Sequence, residues 1–465
     1  MPSLSATATA PSAAVPSDAV RSAGATGTTT APAAELPACP PPPLAVLGDE
    51  VRAPLTGGGE VPYAALDLAA SAPAARAVWE AVAAYLPQYG SVHRGAGHLS
   101  RLSTELFERD RRDVAAFLGC RPDDQVVFTR STTDSLNLLA AALPADCTVL
   151  VFETEHHAAL LPWEHHGRRV VTLPAPSSPA DAVALAAAAL RKLPAGRPAL
   201  LCVTGASNVT GELWPVAALA EVAREHGART VLDAAQLVPH RAVDVAELGV
   251  DWVAFSGHKV YAPFGAGVLA GRADWLDAAE PYLAGGGASL RVDGGAAGGL
   301  LPVWQRGPAR HEAGSPNVVG VHALASACRA LSAVGYAAVT AHEQALLRRL
   351  REGLASVPAV RELSLFGPDA ERVAVVSFVV EGHDSAGFAR RLSDEYGIGV
   401  RAGLFCAHPL LRSLLAEGSA AVPGPDAGGC DDAPVQAVRV SFGAGTPAEH
   451  VDRLVSAVRR LTDGG

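Results

Sequence analysis

The sequence predicts an α/β layer fold built on a mainly parallel sheet, and three observations carry that expectation. Between Gln125 and Leu269 short apolar runs alternate with helix-like stretches. Several runs lack polar alternation, as strands buried on both faces do. The polar residues with chemical reach fall at the carboxyl ends of the runs, where open α/β sheets gather ligands.

In order, the chain begins with an Ala/Ser/Thr/Pro tract, residues 1–45, closing on Pro40-Pro41-Pro42-Pro43. It has no apolar segment of the signal-peptide kind and one basic residue, Arg21, so it reads as a disordered tail. Tyr63 to Pro73 predicts a short strand running into a small-residue turn, and about Ala74 to Leu86 predicts a helix. Val92 to His98 reads as a loop with two histidines, His93 and His98, and Thr104 to Leu118 as a long helix. The charges on that helix, Glu108, Arg109, Asp110, Arg111, Arg112 and Asp113, predict a solvated face. The strand runs are Val126–Thr129, Val149–Glu153, Val170–Leu173, Leu200–Thr204, Thr230–Asp233, Trp252–Phe255 and Gly267–Leu269.

Composition sets the limits. At 465 residues there is room for about two or three domains. A net charge of −10 with no basic stripe argues against a general nucleic-acid binder. The small-residue run Ala182 to Leu190 is too short to span a bilayer, so no membrane partner is expected. Seven scattered cysteines without a CxxC pair predict reduced thiols in a cytoplasmic protein.

One stretch stands apart, Ser256-Gly257-His258-Lys259. Of 37 basic residues only Lys192 and Lys259 are lysines. Lys192 closes an Ala-rich helix, where the dipole favours a cation. Lys259 sits between a strand and a Gly/Pro-rich loop, and only an amine forms a Schiff base. Ser131-Thr132-Thr133 at a helix start suits an anion, though alone it reads first as a plain N-cap. His156 and His157 lack the further ligands a metal needs, and a flat ring there can stack on a cofactor. Asn208 lies in what is, alone, only a turn; Asp233, alone, is as readily an N-cap as a partner for a ring nitrogen. Together they form the set pyridoxal phosphate needs: amine, pyridinium partner, phosphate cradle and ring platform.

The pattern Asp233-x-Ala-Gln236…Ser256-Gly-His258-Lys259-x-Tyr-x-Pro-x-Gly-x-Gly resembles class V aminotransferases of the cysteine desulfurase and selenocysteine lyase group. Val92-His93-Arg94-Gly95, Glu155-His156-His157-Ala158, Ser207-Asn208-Val209-Thr210-Gly211 and His311 to Asn317 extend the likeness. Arg401-Ala402-Gly403-Leu404-Phe405-Cys406-Ala407-His408-Pro409 and Val438-Arg439-Val440-Ser441-Phe442 carry it to the C-terminal part.

The resemblance implies a type I pyridoxal-phosphate transferase fold, with a large domain over 46–330 carrying a seven-stranded sheet. The first part of that domain is expected to pack on a smaller α+β domain over 331–465, whose strands lie near Val373–Val380 and Val438–Phe442. It implies Lys259 as the Schiff-base amine, Asp233 on the ring nitrogen, Gln236 near the phenolic oxygen and His156 stacked on the ring. Thr132, Thr133, Ser256 and His258 would bind phosphate, and Ser315 would reach the cofactor of a neighbouring subunit, hence a homodimer. Asn208, Arg439, His93 and Arg401 would receive the substrate. Cys406 would take sulfur from L-cysteine or a related amino acid, leaving alanine and a persulfide for a sulfur-acceptor protein. Without a working Cys406, the same cofactor serves an aminotransferase, epimerase or C–S lyase on another amino acid. Two features depart from the family: Leu404 and Phe405 make the cysteine loop unusually apolar, and a Gly/Pro/Asp-rich insertion containing Cys430 spans 417–434.

Overall fold

A computed structural model describes residues 39–294, 298–416 and 437–463. The expected tail up to residue 38, and the 417–434 insertion with Cys430, lie outside these residues. Within the last part of the expected tail, Leu44 is buried and its N–H donates to the Ala444 carbonyl.

Seven strands form the central sheet: β1 (Asp124–Thr129), β2 (Thr148–Phe152), β3 (Arg169–Leu173), β4 (Ala199–Thr204), β5 (Arg229–Asp233), β6 (Trp252–Ser256) and β7 (Gly267–Arg272). Each predicted run contains a strand; Glu153 falls just outside its own, and the last extends to Arg272. The spatial order is β1-β7-β6-β5-β4-β2-β3. Only β7 is reversed, antiparallel to β1 and to β6, so the other six release their carboxyl ends at one edge. Consecutive residues serve opposite faces, as a two-residue period demands. Val149, Leu200, Val231, Trp252 and Leu269 join one buried cluster, and Leu150, Leu201, Leu232, Val253 and Val268 the other. Both faces are therefore covered, which is why the runs lack polar alternation.

Helix α1 (Arg76–Tyr85) and helix α2 (His98–Phe117) precede the sheet, and α3 (Thr132–Ala142) follows β1. Helix α4 (Val318–Val334) packs on α1 and α2. Two expectations for α2 are corrected. It starts at His98 rather than Thr104, because its serines are satisfied inside the helix layer: Ser103 Oγ lies 2.8 Å from Tyr85 Oη and accepts the Gly90 N–H. Its charged face is also not all solvated. Asp110 is fully buried between His322 Nδ1 (2.8 Å) and Arg329 Nη1 (3.0 Å). Arg111 donates to both oxygens of Glu312, at 2.7 and 2.8 Å, and Glu312 also accepts the Phe128 N–H of β1.

That clamp predicts a stability effect. Glu312→Ala leaves a largely buried guanidinium short of its main partner and is expected to cost about 3–5 kcal/mol in urea unfolding. A loss under about 1 kcal/mol would place the pair with weak surface bridges.

A hairpin of β8 (Ser289–Gly294) and β9 (Leu300–Trp304) projects from the large sheet's unit. Helix α5 (Tyr336–Ala355) leads to a second, four-stranded sheet of β10 (Val360–Glu362), β11 (Val375–Val380), β12 (Arg401–Gly403) and β13 (Ala437–Ser441). Its order is β10-β11-β13-β12, antiparallel throughout. One face packs Val376, Phe378, Val438 and Val440 on α5 and on helix α6 (Ala448–Asp463). Ala64–Ala65 pairs with Ile398–Gly399, and Ser441 N–H donates to the Leu66 carbonyl. No single described helix is long and apolar enough to cross a membrane.

Candidate active site

The strand ends converge on a cavity of about 230 Å³. β6 runs into a 3-10 turn, Gly257–Lys259, which lifts the lysine off the sheet within one turn. Gly257 has no room for a side chain there, since a Cβ would lie 2.9 Å from the Ala266 carbonyl oxygen. Burial is the largest influence on the Lys259 amine and brings its pKa down to about 8; the Asp233 charge opposes this and Arg439 adds to it. Asp233 ends β5, is 5% exposed, and accepts the Ala235 N–H at 3.0 Å through Oδ1. Burial raises its pKa, against that hydrogen bond and the lysine.

Beyond β2, His156 caps a short helical turn by accepting the Ala158 N–H at Nδ1 (3.0 Å), so a neutral ring carries its proton on Nε2. Burial, then the Lys259 charge, pushes its pKa down to about 3 and keeps the ring neutral. Gln236 donates to the Ala69 carbonyl at 2.8 Å, while its Oε1 is buried without a partner among the described residues. At the other end of the cavity α3 begins. Thr132 N and Oγ1 both lie 2.7 Å from Ser256 Oγ, and Ser131 accepts the Asp134 N–H as the N-cap. Thr133 and His258 complete that wall.

The second sheet contributes two arginines, Arg401 and Arg439, as register partners on β12 and β13. Arg439 is 3% exposed. It donates to Asp67 Oδ1 (2.9 Å) and to the Asn208 carbonyl (3.1 Å), and its guanidinium carbon lies 5.0 Å from the centre of the Phe405 ring. Cys406 follows on a pinned loop. His157 N–H donates to the Cys406 carbonyl and Asn208 Nδ2 to the Phe405 carbonyl, both at 2.8 Å. Leu404 and Phe405 are buried, which gives the unusual apolarity of this loop a physical role.

All the expected site residues line this one cavity except His93 and Ser315. His93 lines a separate cavity of about 550 Å³, with Nε2 2.9 Å from Glu108 Oε1. Ser315 is exposed beside that second cavity's Gly314. Asn208 was expected on the substrate; one of its amide hydrogens instead goes to the cysteine loop. Three residues were given no role from sequence: Asp67, Phe405 and Glu155. An acid between two leucines at a strand end marks Asp67, and Glu155 directly precedes the stacking histidine. Their partners are distant in sequence and left no local mark.

The residues present fit pyridoxal phosphate. An anion end is supplied by hydroxyls at the start of an eleven-residue helix, a ring partner by the buried Asp233, and a Schiff-base amine by Lys259. The unpartnered Gln236 Oε1 marks a polar wall built for a further group.

A lysine amine and a buried carboxylate lining one cavity at the strand ends are the equipment of the Schiff-base class of enzymes. The family model Aminotransferase class-V matches residues 64–454. A Vibrio cholerae protein named probable cysteine desulfurase is 35% identical, over 86% of this chain and 94% of its own. A cysteine desulfurase of Pectobacterium carotovorum is 37% identical, over 86% and 93%. Among solved structures, apo cysteine desulfurase from Thermococcus onnurineus superposes with a TM-score of 0.75 at 30% identity, covering 87% of this chain and 95% of that one. An Escherichia coli cysteine desulfurase in its S-sulfonic acid form gives 0.72 at 32% identity, covering 86% and 95%. This chain belongs to the class-V aminotransferase family.

Proposed function

We propose that the protein is a pyridoxal-phosphate-dependent cysteine desulfurase that moves the sulfur of L-cysteine onto Cys406 and releases alanine. The observation that carries this is Cys406 on the wall of the cavity that also holds Lys259, Asp233 and Arg439. When bound, the cofactor supplies an electron sink for chemistry at the substrate α-carbon. Lys259 would hold it and move the proton at that carbon. Asp233 would partner the ring nitrogen, and His156, kept neutral, would be its platform. Thr132, Thr133, Ser256 and His258 would bind the phosphate, with Gln236 toward the phenolic oxygen. Arg439, already oriented by Asp67 and Phe405, receives the substrate carboxylate with Arg401 and the remaining Asn208 amide hydrogen. The Cys406 thiolate attacks the substrate sulfur. An S–S bond forms as the C–S bond breaks, so cysteine plus enzyme thiol becomes alanine plus enzyme persulfide.

The partners follow from the same reading. The β8–β9 hairpin exposes Leu290, Leu300 and Leu301, a surface suited to a second copy of the chain in a homodimer. That arrangement would give Ser315 and His93, both outside their own cavity, a place at the neighbour's. A sulfur-acceptor protein would relieve Cys406 of its persulfide. The six free cysteines among the described residues suit a reducing cytoplasm.

The test is product identity. With excess dithiothreitol present to reduce the persulfide, the enzyme given L-cysteine should yield alanine and sulfide in equal amounts. Pyruvate with ammonia, or a keto acid, would replace this reading with lyase or aminotransferase chemistry.

A further inference from the structure

Glu155 is the buried ionisable group nearest the cavity to which the chemistry above assigns no task. It lies just past the end of β2 and is 1% exposed. Its Oε1 accepts the N–H of Thr204, the last residue of β4, at 3.0 Å. Its Oε2 is buried with no hydrogen-bond partner among the described residues. Thr204 is the register partner of Asp233 on β5, and the next amide, Gly205 N–H, donates to the Asp233 carbonyl at 2.9 Å. A continuous path therefore runs from the Glu155 carboxyl through the end of β4 to the backbone of Asp233. The next residue in the chain is His156. One side chain thus ties the segment that carries His156 to the end of β4, which in turn pairs with the end of β5 that carries Asp233.

We propose that Glu155 is a positioning residue for the cofactor ring: an un-ionised carboxylic acid that locks the end of β2 to the end of β4 and so fixes Asp233 and His156. The inference rests on the cofactor reading above. The charge state follows from the surroundings. A buried carboxylate with a single amide donor and no bonded cation is costly, and the neutral acid costs much less even with its hydroxyl unpaired. Burial first, and then the Asp233 charge, holds the Glu155 pKa well above its ordinary value. The nearby Cys202 thiol is raised by burial and by both carboxyls, so it adds no charge of its own. Asp233, facing Lys259, is then the one carboxylate left to meet the ring nitrogen. A second anion beside it would make the two compete for protons.

The experiment compares wild type, Glu155→Gln and Glu155→Leu, each loaded with pyridoxal phosphate, by the pH midpoint of the bound cofactor's absorbance and by its dissociation constant. Glutamine copies a neutral acid that accepts one N–H, so the midpoint should stay within about 0.3 pH unit and the dissociation constant within about twofold of wild type. Leucine removes the acceptor. Cofactor affinity should then fall about tenfold, as when one buried donor is left unpaired, with faster hydrogen exchange at Thr204 and Gly205 in the apoprotein. The infrared band of an un-ionised carboxyl, present in the wild-type apoprotein and lost in Glu155→Gln, reads the charge state even if the leucine variant does not fold. A midpoint displaced by about one pH unit in the glutamine variant, or an absent band, would mean an anion and overturn the proposal. A leucine variant that folds and matches wild type overturns the positioning role alone. Wild type that takes up no pyridoxal phosphate would overturn the cofactor reading, and this role with it.

Discussion

Lys259→Ala protein is expected to bind no visible chromophore covalently and to lose at least about 10⁴-fold in alanine formation from L-cysteine. Lys259→Arg should not rescue it, because a guanidinium stays charged and forms no Schiff base. The depressed amine adds a pH signature. A lysine is nucleophilic only when neutral, and here the neutral form gains ground above a pKa of about 8 rather than the ordinary 10.5. The rate at which wild-type apoprotein captures pyridoxal phosphate should therefore rise with pH up to about 8 and level off above it. His156 stays neutral across that range, so it contributes no step of its own. A rate still climbing in proportion through pH 10 would mean the cavity does not depress the amine. Stopped-flow absorbance across a pH series reads this directly.

Cys406→Ala separates cofactor handling from sulfur transfer. Its bound cofactor should keep the wild-type spectrum, because Lys259, Asp233 and the helix start are untouched. Sulfide release from L-cysteine should drop by at least about 10³-fold, the loss expected when a nucleophile is removed from an otherwise intact site. Mass spectrometry of the wild type after substrate should find one added sulfur at Cys406. Equal turnover in the alanine variant, or sulfur found on another of the cysteines, would remove Cys406 from the mechanism.

Much of this was legible before any coordinates. The strands were readable because each is a short apolar run whose consecutive residues enter the two buried clusters alternately. Lys259 was readable because lysine is so rare in the chain. What escaped were features made by distant partners. The charges of α2 looked solvated, yet Asp110 meets a histidine 212 residues away and Arg111 a glutamate 201 residues away. Nothing local distinguishes those from surface charges. Glu155 directly precedes His156, and the sequence gives that neighbour but not the glutamate's burial. The apolar Phe405 looked like a departure from the family, and only its position beneath Arg439 shows what it supports.

The cysteine loop has one further consequence. Phe405 and Cys406 stand at φ of 53° and 52°, a left-handed conformation that side-chain-bearing residues adopt at a cost of about 1–3 kcal/mol each. Two hydrogen bonds from neighbouring strand ends, and the Ala407 N–H to the Leu404 carbonyl, hold them there. In the proposed mechanism Cys406 would thus be a stationary receiver rather than a swinging courier, and whatever collects its cargo would have to travel to it. A small free thiol, or a protein presenting its cysteine on a projecting finger, meets that demand. A protein whose cysteine lies flush with a flat surface does not, however strongly it binds elsewhere.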